Sequence, residues 1–236
     1  MPILALDTST LVSSVAVASE DKLIAEIILQ TKLTHSEVLM PHIKQVLLMA
    51  KMSKEELDGI AISIGPGSFT GLRIGLATAK SLAYALNLPI VGVSTLEALA
   101  YHYAVPGIYI AALLDAQKGN AYAGLYSWQE DKMQEVCPVI VDSFEKIVKK
   151  CEAMDQPVVF VGDIVQKRAA VIKAAGKNVF CGLPHMIMPR AANVAVLGLK
   201  KLVAGQYDNV MDIEPIYIRR SEAEVLWEQR HKKAEL

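Results

Sequence analysis

The chain passes twice through one order of segments: three strands, a helix, a strand and a helix. This repeat restricts its fold more than any single motif. Apolar stretches at Pro2–Asp7, Val12–Ala18 and Leu23–Leu29, joined by short polar turns, read as three consecutive strands. A helix follows over His35–Lys51, opened by a capping box between Thr34 and Glu37, and Ser53 with Glu56 offers a second one. Strand Gly59–Ile64, helix Phe69–Asn87, strand Ile90–Ser94 and helix Thr95–Ala104 complete the first pass. After the Pro106-Gly107 turn the order restarts, with strands at Ile108–Leu114, Ala121–Trp128 and Lys132–Val141. A helix at Ser143–Glu152, a strand at Pro157–Gly162 and a helix at Ile164–Ala175 follow. Such a pattern predicts an α/β protein of two lobes, residues 1–104 and a smaller 105–236. Each lobe holds a mixed sheet begun by three consecutive strands and flanked by helices. Residue-level similarity between the halves is weak, so the repeat is architectural. The tail Arg219–Leu236 reads as a charged helix or a frayed end, and the last helix is expected to pack on the first lobe.

Between the strand ending at Ile64 and the helix from Phe69 lies Gly65-Pro66-Gly67-Ser68-Phe69-Thr70-Gly71-Leu72-Arg73-Ile74-Gly75. A glycine-rich turn into a helix is a usual setting for phosphate, because the first-turn amides point at the anion. The two familiar loops do not fit. Five residues separate Gly65 from Gly71 and no Lys follows, which excludes the P-loop. Thr70 stands where the dinucleotide fingerprint wants glycine, and no acid follows near Ile90-Val91-Gly92-Val93. The glycines therefore serve the turn and close packing. Gly71, Gly75, Ala79 and Ala83 recur every four residues on one face. Either this stripe packs on a helix of the same domain or it meets a partner subunit, and periodicity does not separate the two.

Composition narrows the function classes. With 53 % hydrophobic and 21 % charged residues over 236 positions, the chain can build a sizeable core and is neither disordered nor coated for nucleic acid. A net charge of −1 makes any RNA contact local or supplied by a partner. Cys137, Cys151 and Cys181 are scattered without a Cys-x-x-Cys, which suits a reducing cytosol. The start Met1-Pro2-Ile3-Leu4-Ala5 has no basic leader pattern, and no apolar run is long enough to span a bilayer, so a cytoplasmic protein is expected.

The duplicated pattern resembles the actin/hexokinase/Hsp70-like (ASKHA) superfamily. Four local runs narrow the resemblance: Ile3-Leu4-Ala5-Leu6-Asp7-Thr8-Ser9-Thr10, the glycine run, Asp115-Ala116-Gln117-Lys118-Gly119-Asn120-Ala121-Tyr122, and Pro215-Ile216-Tyr217-Ile218-Arg219. They closely resemble the TsaB (YeaZ) family over nearly the whole chain. That resemblance implies a subunit of the bacterial machinery that places threonylcarbamoyl on N6 of the adenosine 3′ of the anticodon. In that machinery the paralogue TsaD performs the transfer and TsaE is an ATPase. TsaB is the non-catalytic scaffold, pairing with TsaD, or with itself when alone, through a bundle of two helices from each subunit. tRNA is then met indirectly, through the complex. Carried onto this chain, the partner interface falls on Val38, Ile43, Val46 and Leu47 of the first helix and on Gly71, Gly75, Ala79 and Ala83 of the second.

The same resemblance tests for chemistry. TsaD-like proteins hold a metal through a His-x-x-x-His helix, and the matching positions here are Thr95 and Leu99, with only Glu97 between them. His35 and His42 are seven residues apart, about 10 Å along a helix, and read as surface or capping residues. No metal and no catalytic residue is expected. For nucleotide, Asp7, Thr8, Ser9, Asp115, Lys118 and Gly162 stand where the superfamily binds phosphates and adenosine. The glycines that close such loops are missing, and Asp163 would oppose an anion. At most weak ATP or ADP binding is expected, and Asp7 and Thr8 are equally ordinary turn residues. The other reading is an ATP-dependent or metallopeptidase-like enzyme of the same fold. The tail cations Arg219-Arg220 and Arg230-His231-Lys232-Lys233 could touch tRNA, but interleaved glutamates favour a solvated end.

Overall fold

The computed structural model of the chain describes residues 1–30 and 33–218. The expectations for the tail from Arg219 onward lie outside the described residues.

The strands are β1 (Ile3–Asp7), β2 (Val12–Ala18), β3 (Leu23–Gln30), β4 (Gly59–Gly65), β5 (Ile90–Ser94), β6 (Tyr109–Asp115), β7 (Asn120–Gln129), β8 (Lys132–Ser143), β9 (Val158–Val161) and β10 (Val179–Cys181). The helices are α1 (His35–Ala50), α2 (Phe69–Leu86), α3 (Thr95–Ala100), α4 (Phe144–Glu152), α5 (Asp163–Ala174) and α6 (Ala191–Val203). Two five-stranded sheets form, in the orders β3-β2-β1-β4-β5 and β8-β7-β6-β9-β10. The orders are equivalent: each central strand pairs antiparallel with the next strand and parallel with the fourth. Leu4 faces Val17 and Ile60, and Ala111 faces Leu125 and Phe160. β1 and β6 lie in different sheets, so the repeat in the sequence is a repeat of topology.

Both faces of the first sheet are covered, which is why β1 and β2 are apolar without alternation. Leu4 and Leu6 point to one face and pack with Ile60 and Ile62 against Leu39, Ile43, Val46 and Leu76 of α1 and α2. Ile3 and Ala5 point to the other and meet Val194 and Ala195 of α6. In the second lobe, Phe144, Ile147 and Val148 of α4 and Ile164 of α5 cover one face. The opposite face is covered by Leu96 and Leu99 of α3, packed on Ile110, Ala112 and Leu114. After its fifth strand each lobe thus sends a helix onto the sheet of the other, α3 onto the second and α6 onto the first.

The capping boxes of Thr34–Glu37 and Ser53–Glu56 are both formed, the second on a single 3-10 turn. The helix from Thr95 ends at Ala100 and continues only as a 3-10 turn over 101–103. β10 and α6 have no counterpart in the sequence reading. β10 has three residues, and α6 begins at Arg190, which supplies no side-chain cap. Its first turn is held by the first sheet instead. Ala191 N–H donates to Ser14 Oγ at 2.9 Å, and Ala192 N–H donates to Glu26 Oε1 at 3.1 Å. Glu26 also pairs with Arg190, so β3 sets a carboxylate at the positive end of α6. Residues 204–218 then run back as a strap. Asp208 N–H donates to Ile90 O, Gly92 N–H donates to Asp208 Oδ2 at 2.7 Å, and Ile216 N–H donates to Ile64 O at 2.7 Å.

The small-residue stripe of α2 faces inward, which corrects its expected role. Gly71 and Gly75 lie on Thr8: a Cβ at Gly71 would strike the Thr8 carbonyl and one at Gly75 the Thr8 hydroxyl. Ala79 and Ala83 are fully buried in the core under the first sheet. Val38, Ile43 and Val46 share that core, and Leu47 packs on its margin. The closest approach is thus between α2 and its own sheet, with α1 of the same lobe beside it, since a Cβ at Gly71 would also lie 3.3 Å from His35 Cδ2. Apart from half-buried Leu47, these side chains are not available to a second subunit while the lobe is folded.

Candidate functional site

Two surfaces on this scaffold can carry function: the cleft between the lobes and the outer face of α1 and α2.

The cleft encloses about 470 Å³. The turn after β1 supplies Ser9 and Thr10, the glycine run supplies Gly67 and Phe69, and the strap supplies Ile216 and Tyr217. The second lobe supplies Asp115, Gln117, Tyr122 and Asp163. Of the six residues expected to bind nucleotide, Ser9 and Asp115 line the cleft and the others do not. Asp7 is completely buried behind the turn, and its Oδ1 accepts from Ser9 N–H at 2.9 Å and Ser9 O–H at 2.7 Å. Its Oδ2 has no hydrogen-bond partner among the described residues. Desolvation pushes its carboxyl above the usual range, against the pull of these bonds. The Thr8 hydroxyl donates to Gly71 O at 2.8 Å. Lys118 stands in the left-handed region of the β6–β7 turn, off the cleft lining. Gly162 has φ +118°, and a Cβ there would collide with the Leu113 carbonyl, so it is a close-packing glycine between β9 and α5.

The histidines correct their expected surface roles. His35 Nε2 lies 2.7 Å from Thr10 O, and His42 Nδ1 lies 3.1 Å from Ser13 Oγ, so both brace the β1–β2 hairpin from α1. Neither was legible as a brace, because both contacts span more than twenty residues. The loop before α2 also supports the hairpin, since Ser68 N–H donates to Ser9 O at 2.7 Å.

The second-lobe wall is acidic. Asp115 accepts from Lys167 Nζ at 2.9 Å and from Gln117 N–H at 2.8 Å. Burial alone would raise its carboxyl, but these partners hold it below the usual range. Asp163 Oδ1 accepts from Asp115 N–H at 2.9 Å, and desolvation raises this second carboxyl, helped by the neighbouring Asp115. One backbone N–H that could have met a phosphate is therefore occupied by a carboxylate. The hydroxyls of Thr8 and Ser9 and the N–H of Ser9 are also engaged within the chain.

Thr95 and Leu99, the positions at which the resemblance implied imidazole ligands, are completely buried. Thr95 Oγ1 lies 2.6 Å from Ser63 Oγ, and Leu99 packs into the core under the second sheet. Among the described residues no group of three or more His, Cys, Asp or Glu is placed to hold a metal ion.

The outer face of α2 carries a second small stripe, rotated from the buried one. Thr70, Ala77, Ser81 and Ala85 are exposed, Ile74 is half-buried beside them, and Tyr84 is 68 % exposed. Arg73 is the one charged side chain among the exposed positions of this helix. On α1, Met40 and Leu48 are exposed, Leu48 by 61 %. The four-residue spacing of the inner stripe is present here too, in Ala77, Ser81 and Ala85. Choosing between the faces required knowing which one the sheet covers.

Comparison with known proteins agrees with this architecture. Residues 22–227 match the family model described as TsaD: tRNA N6-adenosine threonylcarbamoyltransferase. The tRNA threonylcarbamoyladenosine biosynthesis protein TsaB of Bacillus subtilis is 35 % identical, over 98 % of this chain and all of its own length. The solved structure of YeaZ from Pseudomonas aeruginosa is 26 % identical with a TM-score of 0.77, over 92 % of this chain and 99 % of that one. The activator of 2-hydroxyisocaproyl-CoA dehydratase from Clostridium difficile, solved with bound ADPNP, covers 92 % of this chain and all of its own. Its TM-score is 0.54 at 9 % identity, a likeness of fold alone. No described helix is long and apolar enough to cross a membrane. Two equivalent mixed sheets, the Gly65–Gly75 turn packed on Thr8, and full-length similarity to TsaB proteins agree: the chain belongs to the TsaB family, in the TsaD-related branch of the actin-like ATPase fold.

Proposed function

We propose that this protein is a non-catalytic scaffold subunit in tRNA N6-threonylcarbamoyladenosine biosynthesis. In this reading it pairs with a TsaD-like catalytic subunit, works with a TsaE-like ATPase, forms a homodimer when alone, and meets tRNA only through the complex. The role in this biosynthesis follows from membership of the TsaB family. The observation that carries the non-catalytic reading is the burial of Thr95 and Leu99 at the positions of the metal ligands. A buried hydroxyl already bonded to Ser63 and a core leucine offer no ligand and no access. The pairing surface is the outer face of α1 and α2. A nearly uncharged stripe of Thr70, Ala77, Ser81 and Ala85, beside Tyr84, Met40 and Leu48, permits close helix approach. A large charged side chain in its middle would hold the helices apart.

The test is co-elution with a TsaD-like subunit and threonylcarbamoylation of tRNA in the reconstituted set. Ala77→Arg should keep the helical circular dichroism and thermal midpoint of the wild type while losing about tenfold or more in affinity for the partner, and losing self-association with it. Unchanged association would refute the surface. Turnover by this chain alone, or stoichiometric metal at the Thr95 segment, would refute the non-catalytic role.

A further inference from the structure

The chain passes from the first lobe to the second through α3 and the 3-10 turn over 101–103, and returns from β10 to α6 through residues 182–190. These two crossovers are bonded to each other. His102 Nε2 lies 2.8 Å from Met188 O, and because a carbonyl only accepts, Nε2 carries the proton. Leu183 N–H donates to the Tyr103 hydroxyl at 3.0 Å, and Asn193 Nδ2 donates to Ala98 O at 2.8 Å. The return segment is also anchored in both lobes. Gly182 N–H donates to Phe160 O of β9 at 2.8 Å, and Gly162 N–H donates to Ile187 O at 2.7 Å. At the other end Arg190 pairs with Glu26 of β3. Gly162 directly precedes Asp163 of the cleft wall, so the seating of this segment reaches the cleft within one residue.

We propose that the two crossovers form one hinge block with a titratable pin: neutral His102 holds the return segment through Met188 O, and the charged imidazolium is driven off by Arg190, two residues further on. The surroundings of His102 support this role. Arg190 and His185 of the return segment and Glu26 of β3 are the charged groups that act on it, and Lys200 of α6 is bonded to the hydroxyl of the neighbouring Tyr101. Glu26 cannot readily neutralise an imidazolium, because its carboxylate already accepts from Arg190 and from Ala192 N–H. Burial, reinforced by Arg190 and His185, lowers the His102 imidazole below the ordinary 6.5, against the pull of Met188 O and Glu26. The folded value therefore lies below the unfolded one. The stabilisation given by the closed hinge is complete above pH 6.5 and is lost as pH falls through the folded value. His42 is lowered too, but it braces the β1–β2 hairpin, so its titration reads out there.

Hydrogen exchange by mass spectrometry on the full chain tests the pin, reading residues 98–104 and 182–193 with the intrinsic pH dependence of amide exchange divided out. Between pH 7.5 and 5.5 opening of both segments should rise severalfold. The ceiling is about tenfold, the limit for one proton taken up over one pH unit below 6.5. His102→Gln places an amide donor near the position of Nε2 and does not titrate, so its corrected rates should be flat in pH. His185→Gln should keep the rise. Corrected wild-type rates that do not change with pH would overturn the proposal, as would a rise that survives His102→Gln or one abolished by His185→Gln. Nuclear magnetic resonance titration of the His102 ring in the wild type keeps the test independent of how the variants fold. Its midpoint should lie below 6.5 and coincide with that of the exchange profile, and a midpoint at or above 6.5 would remove the pin.

Discussion

Gly75→Ala separates the inner face of α2 from its outer face. On helix propensity alone the change should stabilise the protein by about 0.8–1 kcal/mol, since glycine is the poorer helix former. The packing opposes it. The new methyl would fall on the Thr8 hydroxyl, 3.3 Å from Thr8 Cβ and 3.2 Å from Ile62 Cδ1. Thr8 is β-branched, completely buried, and bonded to Gly71 O, so it cannot swing aside without losing that bond. Overpacking costs about 1–3 kcal/mol and the lost hydrogen bond about 1 kcal/mol more. Set against the propensity gain, the net is a destabilisation of about 1–3 kcal/mol. For a chain of this size each kcal/mol lowers the midpoint by about 2–4 °C, so a fall of roughly 2–12 °C is expected. Differential scanning calorimetry on Gly75→Ala beside Ala77→Ser, an exposed position two residues on, is the assay, with the second variant expected to stay near the wild type. A Gly75→Ala midpoint equal to or above the wild type would refute the claim that this stripe is closed by the chain's own sheet.

Further outcomes follow from the buried charges and thiols. Asp7→Asn should raise the midpoint at pH 7, with the gain shrinking as pH falls toward 4. The folded carboxyl holds its proton more tightly than the unfolded one, whose ordinary value is 3.8, so the native protein loses stability as pH rises through that window; a pH-independent difference between the two proteins would count against it. Glu26→Gln should destabilise by about 1–2 kcal/mol in urea titration, through lost charge at the α6 terminus and toward Arg190, and an unchanged midpoint would show that α6 docks without it. With a thiol reagent, exposed Cys137 should label in the native state, while Cys151, its thiol pushed up to about 12 mainly by burial, should label only on unfolding.

Local chemistry made much of the fold legible. The capping pair Thr34–Glu37, the apolar runs of β1 and β6 and the Pro106-Gly107 turn each act over a few residues, and each formed as read. The equivalence of the two lobes was legible as an order of segments, because strand and helix periods differ. β10 and α6 were not, since three residues carry no period and α6 is capped by Ser14 and Glu26, more than 160 positions earlier. The cleft was legible only in part. Asp7, Thr8 and Gly162 have the residue types of a phosphate site, but tertiary packing turned them to Ser9, Gly71 and Leu113.

By itself the sequence determined the α/β class, the duplicated topology and the TsaB resemblance. Each of these is written in residue type and short-range spacing. Tertiary structure alone decided which stripe of α2 is free. A helix with small residues at Gly71, Gly75, Ala79 and Ala83 and also at Thr70, Ala77, Ser81 and Ala85 can be approached closely from either side, and its period is the same for both. The first sheet settles the choice by placing Thr8 and Ile62 where only glycine leaves room, which turns the second stripe, with Tyr84, outward.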